Sequence, residues 1–198
     1  MQIRSSDRSV VKAIRQRSLL TEWSRRHVDS RGQLPSLDSF CPAFFEEEKG
    51  DMLIYQVAGA SAEPRLIIRH HGEHLSQAYA KVGEGLALQD VMGPKRLAVI
   101  LPIYYACVQR RLPIYSICAA TDVHGTHVDF ERLLLPFGAN GRVTDLIASL
   151  KTISVDGSFE QKQLLRTDEA PHFSLIAVID TNLSTQTLRA VPDDIVAI

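Results

Sequence analysis

The chain has 198 residues, 45% of them apolar, with 22 basic against 23 acidic side chains and a formal net charge of −1. That length supports one good-sized core with extensions, and the overall balance lacks the basic excess of a general nucleic-acid binder. No apolar run approaches the roughly 20 residues that span a bilayer, and charges stand near the N-terminus where a signal peptide needs its apolar stretch, so the expectation is a cytoplasmic protein without membrane attachment.

Residues 9–27 place Val10, Val11, Ile14, Leu19, Leu20 and Trp23 on a broad apolar side, with Ser9 as the cap. Lys12, Arg15, Arg17, Arg25 and Arg26 lie between them, and residues 1–32 hold eight basic side chains against three acidic ones. A basic amphipathic helix suits nucleic acid or an anionic membrane. No aromatic interleaving or DNA-reading motif accompanies the charge, and a helix packed on a domain or on its twin needs the same charged outer face. The expectation is a helix that covers the domain or pairs in a homodimer.

Residues 29–42, with Gly32, Pro35 and Pro42, read as a surface linker, and 44–49 turn acidic. Two short apolar runs, 52–58 and 65–69, are divided by a loop holding Gly59 and Pro64, the pattern of a hairpin. Residues 72–93 are helical in short pieces, with Leu75, Ala78 and Tyr79 on one side and Gly83 and Gly85 as interruptions. Next, Leu97, Ile100, Leu101, Tyr104, Tyr105, Val108 and Leu112 fall on one face of a long helix. Three extended runs follow, 113–120, 128–137 and 142–153. The first two are separated by turn chemistry at 122–125, the last two by a tight hairpin in which Asn140 and Gly141 take positive φ. Leu133, Leu134 and Leu135 are consecutive, as are Leu146, Ile147 and Ala148, so this meander needs cover on both faces. Residues 154–198 carry seven acidic and three basic side chains and one apolar run, 173–179, which reads equally as strand or helix.

The long helix, the Arg111-Leu112-Pro113 link and a meander with an LLLP strand and a Gly-containing turn resemble the second half of a PAS domain. More narrowly, Trp23, the bend at 32–35, residues 40–42, the strand at 53–59 and the segments RLLLPF (132–137) and GRVTDLI (141–147) are similar to a bacterial subgroup of small stand-alone PAS proteins. The resemblance covers residues 23–150. It implies an α+β fold: a five-stranded antiparallel sheet, with 53–58 beside 143–153, covered by one long and several short helices. The division is then an N-terminal amphipathic helix (1–22), a PAS-like domain (23–153) and a C-terminal extension (154–198).

In function the resemblance implies a sensory or regulatory module that binds a small ligand or a protein partner and signals through dimer or N-terminal helix packing. No output module follows in the chain, so a separate output protein is expected. A ligand pocket between sheet and long helix would be lined by Tyr79, Tyr104, Val108, Tyr115, Ile117, Leu133, Leu135, Leu146 and Ala148, with the short helices around Leu75 and Tyr79 as a lid. An apolar cavity with a few hydroxyls is what small-molecule sites commonly present; the competing reading is that these side chains simply fill the core. No cofactor is expected, because residues 95–110 hold no histidine for haem and the Asn-Cys-Arg-Phe motif of flavin photosensors is missing.

Catalytic signatures such as Gly-x-Ser-x-Gly, the P-loop and GxGxxG are missing from the sequence, and the chain is not expected to be an enzyme. The alternative function, a small metal-dependent enzyme or metal-binding protein, rests on His70, His71, Glu73 and His74, with His124 and His127 further on. Their spacing matches no standard ligand set, and polar turn residues pointing into solvent are the simpler reading. Cys41, Cys107 and Cys118 are odd in number and lack metal-ligand spacing, so they are expected as reduced, mostly buried thiols. Tyr104, Tyr105 and Cys107 are iron ligands by type, but core residues by their place on the apolar stripe.

Overall fold

The extended runs of the meander become strands within a residue or two of where apolar pattern and turn chemistry place them. They are β4 (Ile114–Thr121), β5 (His127–Ala139) and β6 (Arg142–Ser154). At the second turn Asn140 has φ 51° and Gly141 φ 72°, the left-handed backbone that Asn and Gly accept most readily. The computed structural model describes residues 3–40, 43, 45–59, 62–79, 83–121, 124–154 and 170–180; Cys41 and most of the extension 154–198 lie outside the described residues.

The first hairpin is β2 (Met52–Ala58) with β3 (Arg65–His71), and β2 lies antiparallel beside β6, Leu53 opposite Ala148 and Tyr55 opposite Leu146. These are the neighbours expected for 53–58. The sheet has seven described strands rather than five, in the order β1-β7-β4-β5-β6-β2-β3, where β1 is Arg4–Ser6 and β7 is His172–Ile179. The apolar run of the extension is therefore a strand, antiparallel to β4, and β1 joins it in parallel. The physical reason lies in β4: Ile114, Tyr115, Ile117 and Cys118 are all buried, and an apolar strand left at a sheet edge would expose a row of unpaired backbone groups.

Helices cover both faces. On one side lie α5 (Pro94–Arg110) and the short helices α3 (Glu73–Tyr79) and α4 (Leu88–Val91). The inward face of α5 is Arg96, Ile100, Ile103, Tyr104 and Cys107. It is turned by about one position from the expected stripe, so Leu97, Leu101, Tyr105 and Val108 sit half-buried along the rim. On the other side lies α1 (Ile14–Asp29), with Gln16, Leu19, Leu20 and Trp23 buried. It begins five residues later than expected because Asp7 accepts the Ser9 N–H and caps a 3-10 turn at Arg8–Val10 instead. Leu19, Leu20 and Trp23 of the expected apolar side are used within the chain, while Ile14 is 72% exposed. The linker is also more than a surface strand of chain, since Leu34 and Phe40 are buried and the Phe40 ring packs 4.9 Å from that of Phe137. Phe45–Glu48 forms the one-turn helix α2. Among the described residues no helix is long and apolar enough to cross a membrane.

Candidate functional site

Because side chains alternate along a strand and paired residues share a face, the contacts of a few residues orient the whole sheet. Arg132 and Tyr55 both meet Tyr104 of α5, so their face, with Ser116, Cys118, Phe130, Leu134, Leu146, Ala148 and Leu150, looks toward α5. Tyr115 and Glu131 bond to the chain entering α1, so theirs, with Ile117, Leu133, Leu135, Ile147 and Ser149, looks toward α1.

The residues expected to line one pocket therefore divide. Tyr104 and Leu146 lie on the α5 side, and Tyr79, half-buried at the end of α3, interacts electrostatically with Tyr55 and Tyr104 there. Ala148 shares this face. Tyr115, Ile117, Leu133 and Leu135 lie on the α1 side, one residue out of phase. Val108 sits at the rim, where it lines a surface pocket of about 270 Å³ with Val57, Pro64, Gln109 and Arg142 among others.

The α5 side is unusually polar for an interior. Tyr55 and Tyr104 meet edge to face, ring centroids 5.5 Å apart and hydroxyls 3.5 Å apart. Burial holds both phenols above their ordinary pKa, and burial likewise pushes the Cys118 thiol up, against the opposing pull of Arg132 and Arg96. Arg132 is buried, its Cζ 5.9 Å from the centre of the Tyr104 ring. Its Nε and Nη1 are sealed from solvent and make no hydrogen bond. Taking such an ion out of water costs several kcal/mol, whereas a cation over a tyrosine face returns about 0.5–2 kcal/mol.

Beside this layer, Asp51, His74, Leu75, Phe130, Leu150, Lys151 and Thr152 line a pocket of about 330 Å³, within the range of small-molecule sites, about 300–1,000 Å³. Leu75 belongs to α3, the helix expected to act as a lid. Phe130 and Leu150 flank Arg132, the one two residues along β5 and the other directly opposite on β6. At the mouth Lys151 Nζ is 2.6 Å from both Glu48 and Asp51, and His74 Nδ1 is 2.8 Å from Asp51.

The α1 side is held by a polar seam. Glu131 Oε2 accepts the Ala13 N–H at 3.1 Å and the Tyr115 hydroxyl accepts that of Lys12 at 3.3 Å. Gln16 Nε2 donates to the carbonyls of Glu131 and Ser149 at 3.3 and 2.9 Å, and Trp23 Nε1 donates to the Pro136 carbonyl at 2.7 Å. The outer face of α1 is bound up in ion pairs: Arg15 with Glu47 and Glu48, Arg26 with Glu22, and Arg25 with Glu22 and Asp29. Those cations are engaged within the chain. Glu131, Arg132 and Gln16 are the residues that the sequence reading passed over; the signal for two of them is a pair of charges inside an apolar strand that must be covered on both faces.

The histidines do not converge. His70 Nε2 is 2.9 Å from the Lys49 carbonyl, His71 Nδ1 accepts the Gly83 N–H at 3.0 Å, and His74 turns to Asp51. His70 and His71 are consecutive in a strand, which aims them at opposite faces. Among the described residues no three His, Cys, Asp or Glu side chains come together as a metal cradle. Cys107 donates to the Leu112 carbonyl at 3.4 Å, and burial raises its pKa, the opposite of an activated thiol.

No family model matches the chain, and no curated protein matches it. Among solved structures eighteen chains match. One, titled the light state structure of the blue-light photoreceptor Aureochrome1 LOV, is 13% identical, with a TM-score of 0.37, over 57% of this chain and 88% of that one. The class that fold and site define is a mixed α+β domain with a helix-covered antiparallel sheet and a polar interior on one face.

Proposed function

We propose that the chain is a cytoplasmic, PAS-like regulatory module that takes up a small molecule between the sheet and the α3–α5 side. It reports occupancy through the packing of α1 and acts on a separate output protein, with no catalysis of its own. The observation that carries this is the pocket of about 330 Å³ beside α3, two of whose lining residues, Phe130 and Leu150, share a sheet face with Arg132 and Tyr55. A domain serving only as a scaffold gains nothing from placing hydroxyls and a guanidinium in that layer. Transmission follows from adjacency. Arg132 faces the pocket side and Glu131, its neighbour on β5, holds the start of α1, so a shift of β5 on the one face is felt on the other. A homodimer plays no part in the proposal. The metal-dependent alternative loses support because the three histidines of its cluster go to three different partners.

Trp23, the only tryptophan, lies on α1, so its emission reads α1 directly. Native mass spectrometry of the purified protein, before and after denaturing extraction, tests for a bound small molecule. The expected result is a bound molecule whose removal changes Trp23 emission and iodide quenching. Tyr104→Phe should weaken its binding while stability moves by less than about 1 kcal/mol, the net worth of one hydrogen bond. Nothing bound, and no response to a small-molecule library, would leave a filled scaffold. A bound molecule that leaves Trp23 unaltered would remove α1 from the mechanism.

A further inference from the structure

Arg132 is 4% exposed, and its Nε and Nη1 make no hydrogen bond. Among the described residues it forms no ion pair. The groups that act on it most strongly are Tyr104, Tyr79, Cys118 and Tyr55. The Cys118 thiol on this face is acted on by Arg132, by the buried Arg96 of α5 and by the Asp129 carboxylate. Unlike a lysine, an arginine cannot relieve burial by giving up its proton. An anion brought from outside would satisfy a guanidinium in this position, and paired oxygens of a carboxylate or phosphate match its fork of N–H donors.

The pocket of about 330 Å³ borders Arg132: Phe130 and Leu150, which line the pocket with Leu75 of α3, are its neighbours on β5 and β6, while Arg132 itself lies outside the lining. We propose that the ligand of this pocket is an organic oxyanion, a carboxylate or a phosphate ester, whose charged end pairs with Arg132 while its apolar body lies on Phe130 and Leu150. The inference rests on the reading that this pocket takes up a small molecule.

The test is thermal unfolding of the full chain and of Arg132→Met, in chloride buffers of matched ionic strength, with sodium benzoate, inorganic phosphate or neutral benzamide. Benzoate or phosphate should raise the unfolding temperature of the wild type saturably, the more effective of the two telling carboxylate from phosphate, and benzamide should not. Arg132→Met should bind the effective probe about ten- to hundredfold more weakly, the usual value of hydrogen bonds to a charged group, and Arg132→Lys should keep part of that affinity. Without any probe, Arg132→Met should unfold at or above the wild-type temperature, because an unpaired buried charge is replaced by an apolar chain. A less stable Arg132→Met would mean that the guanidinium serves the fold, and would overturn the proposal. Equal stabilisation by benzamide and benzoate, unchanged in Arg132→Met, or a co-purifying molecule with no acidic group, would overturn the anion and leave the binding module standing. No response of the wild type to any probe, together with no co-purifying molecule, would overturn both.

Discussion

Replacing Gln16 by Ala tests how α1 is attached. Gln16 is fully buried and its amide donates to two backbone carbonyls, Glu131 on β5 and Ser149 on β6, while its own Oε1 is sealed without a partner. Two hydrogen bonds of ordinary net worth, about 0.5–1.5 kcal/mol each, are lost, and the shortened side chain forfeits packing worth about 1 kcal/mol. Against this, removing an unpartnered buried oxygen returns about 1 kcal/mol. The net expectation is destabilisation of about 1–3 kcal/mol, or roughly 2–12 °C in Tm at about 2–4 °C per kcal/mol for a domain of this size. Urea unfolding followed by Trp23 emission and by far-ultraviolet circular dichroism measures it. The two signals should move together, because the seam ties α1 to the central strands. Arg17→Ala, an exposed change on the same helix, is the control and should stay within about 0.5 kcal/mol. A Gln16→Ala midpoint no different from that control would mean that the seam is not formed.

At the end of β5, a Cβ on Gly138 would lie 1.9 Å from the Arg142 carbonyl oxygen, which is backbone, so Gly138→Ala must displace the hairpin and should cost more than about 2 kcal/mol in urea unfolding; a cost under half that would mean that the close approach is absent. Burial alone would lower the Lys151 pKa, but its bonds to Asp51 and Glu48 outweigh this and hold it above the ordinary lysine value. A raised folded-state pKa contributes stability that is fully present below the unfolded value of about 10.4 and is lost as pH rises through the folded one. Between pH 9 and 11.5 the wild type should therefore lose unfolding free energy more steeply than Lys151→Met, and parallel curves would refute the assignment.

The parts of the fold that were legible are those in which local chemistry and tertiary need agree. Pro113, the Asn140-Gly141 pair and uninterrupted apolar runs mark β4 to β6 because turn residues act over two or three positions. β1 was not legible: Arg4–Ser6 is polar and short, and it is a strand only because β7 lies beside it. The site failed on phase. In a strand apolar on both faces, Leu133, Leu134 and Leu135 give no alternation from which to tell inside from outside, and a one-residue error moves every side chain to the other layer. The charges at Glu131 and Arg132 carry the phase that the leucines hide, since each is held by a named contact on its own side.

The start of α1 also bears on how the chain folds. Ala13, its cap residue, offers no side-chain hydrogen bond, and Gln16, at the third helical position from which a capping side chain commonly reaches back, is turned to the sheet. The carboxylate that meets the Ala13 N–H belongs to Glu131, made 118 residues later. A helix of 16 residues is marginal alone in water. At about 5–20 residues per second, the ribosome needs roughly 6–24 s to pass from this helix to its cap. Through that interval Leu19, Leu20 and Trp23 are uncovered, and β1 waits longer still for β7. The helix is made well before the strands that cover it, so in the cell the hazard of this fold falls during synthesis, when an apolar helix face is open to chaperones or to another nascent chain.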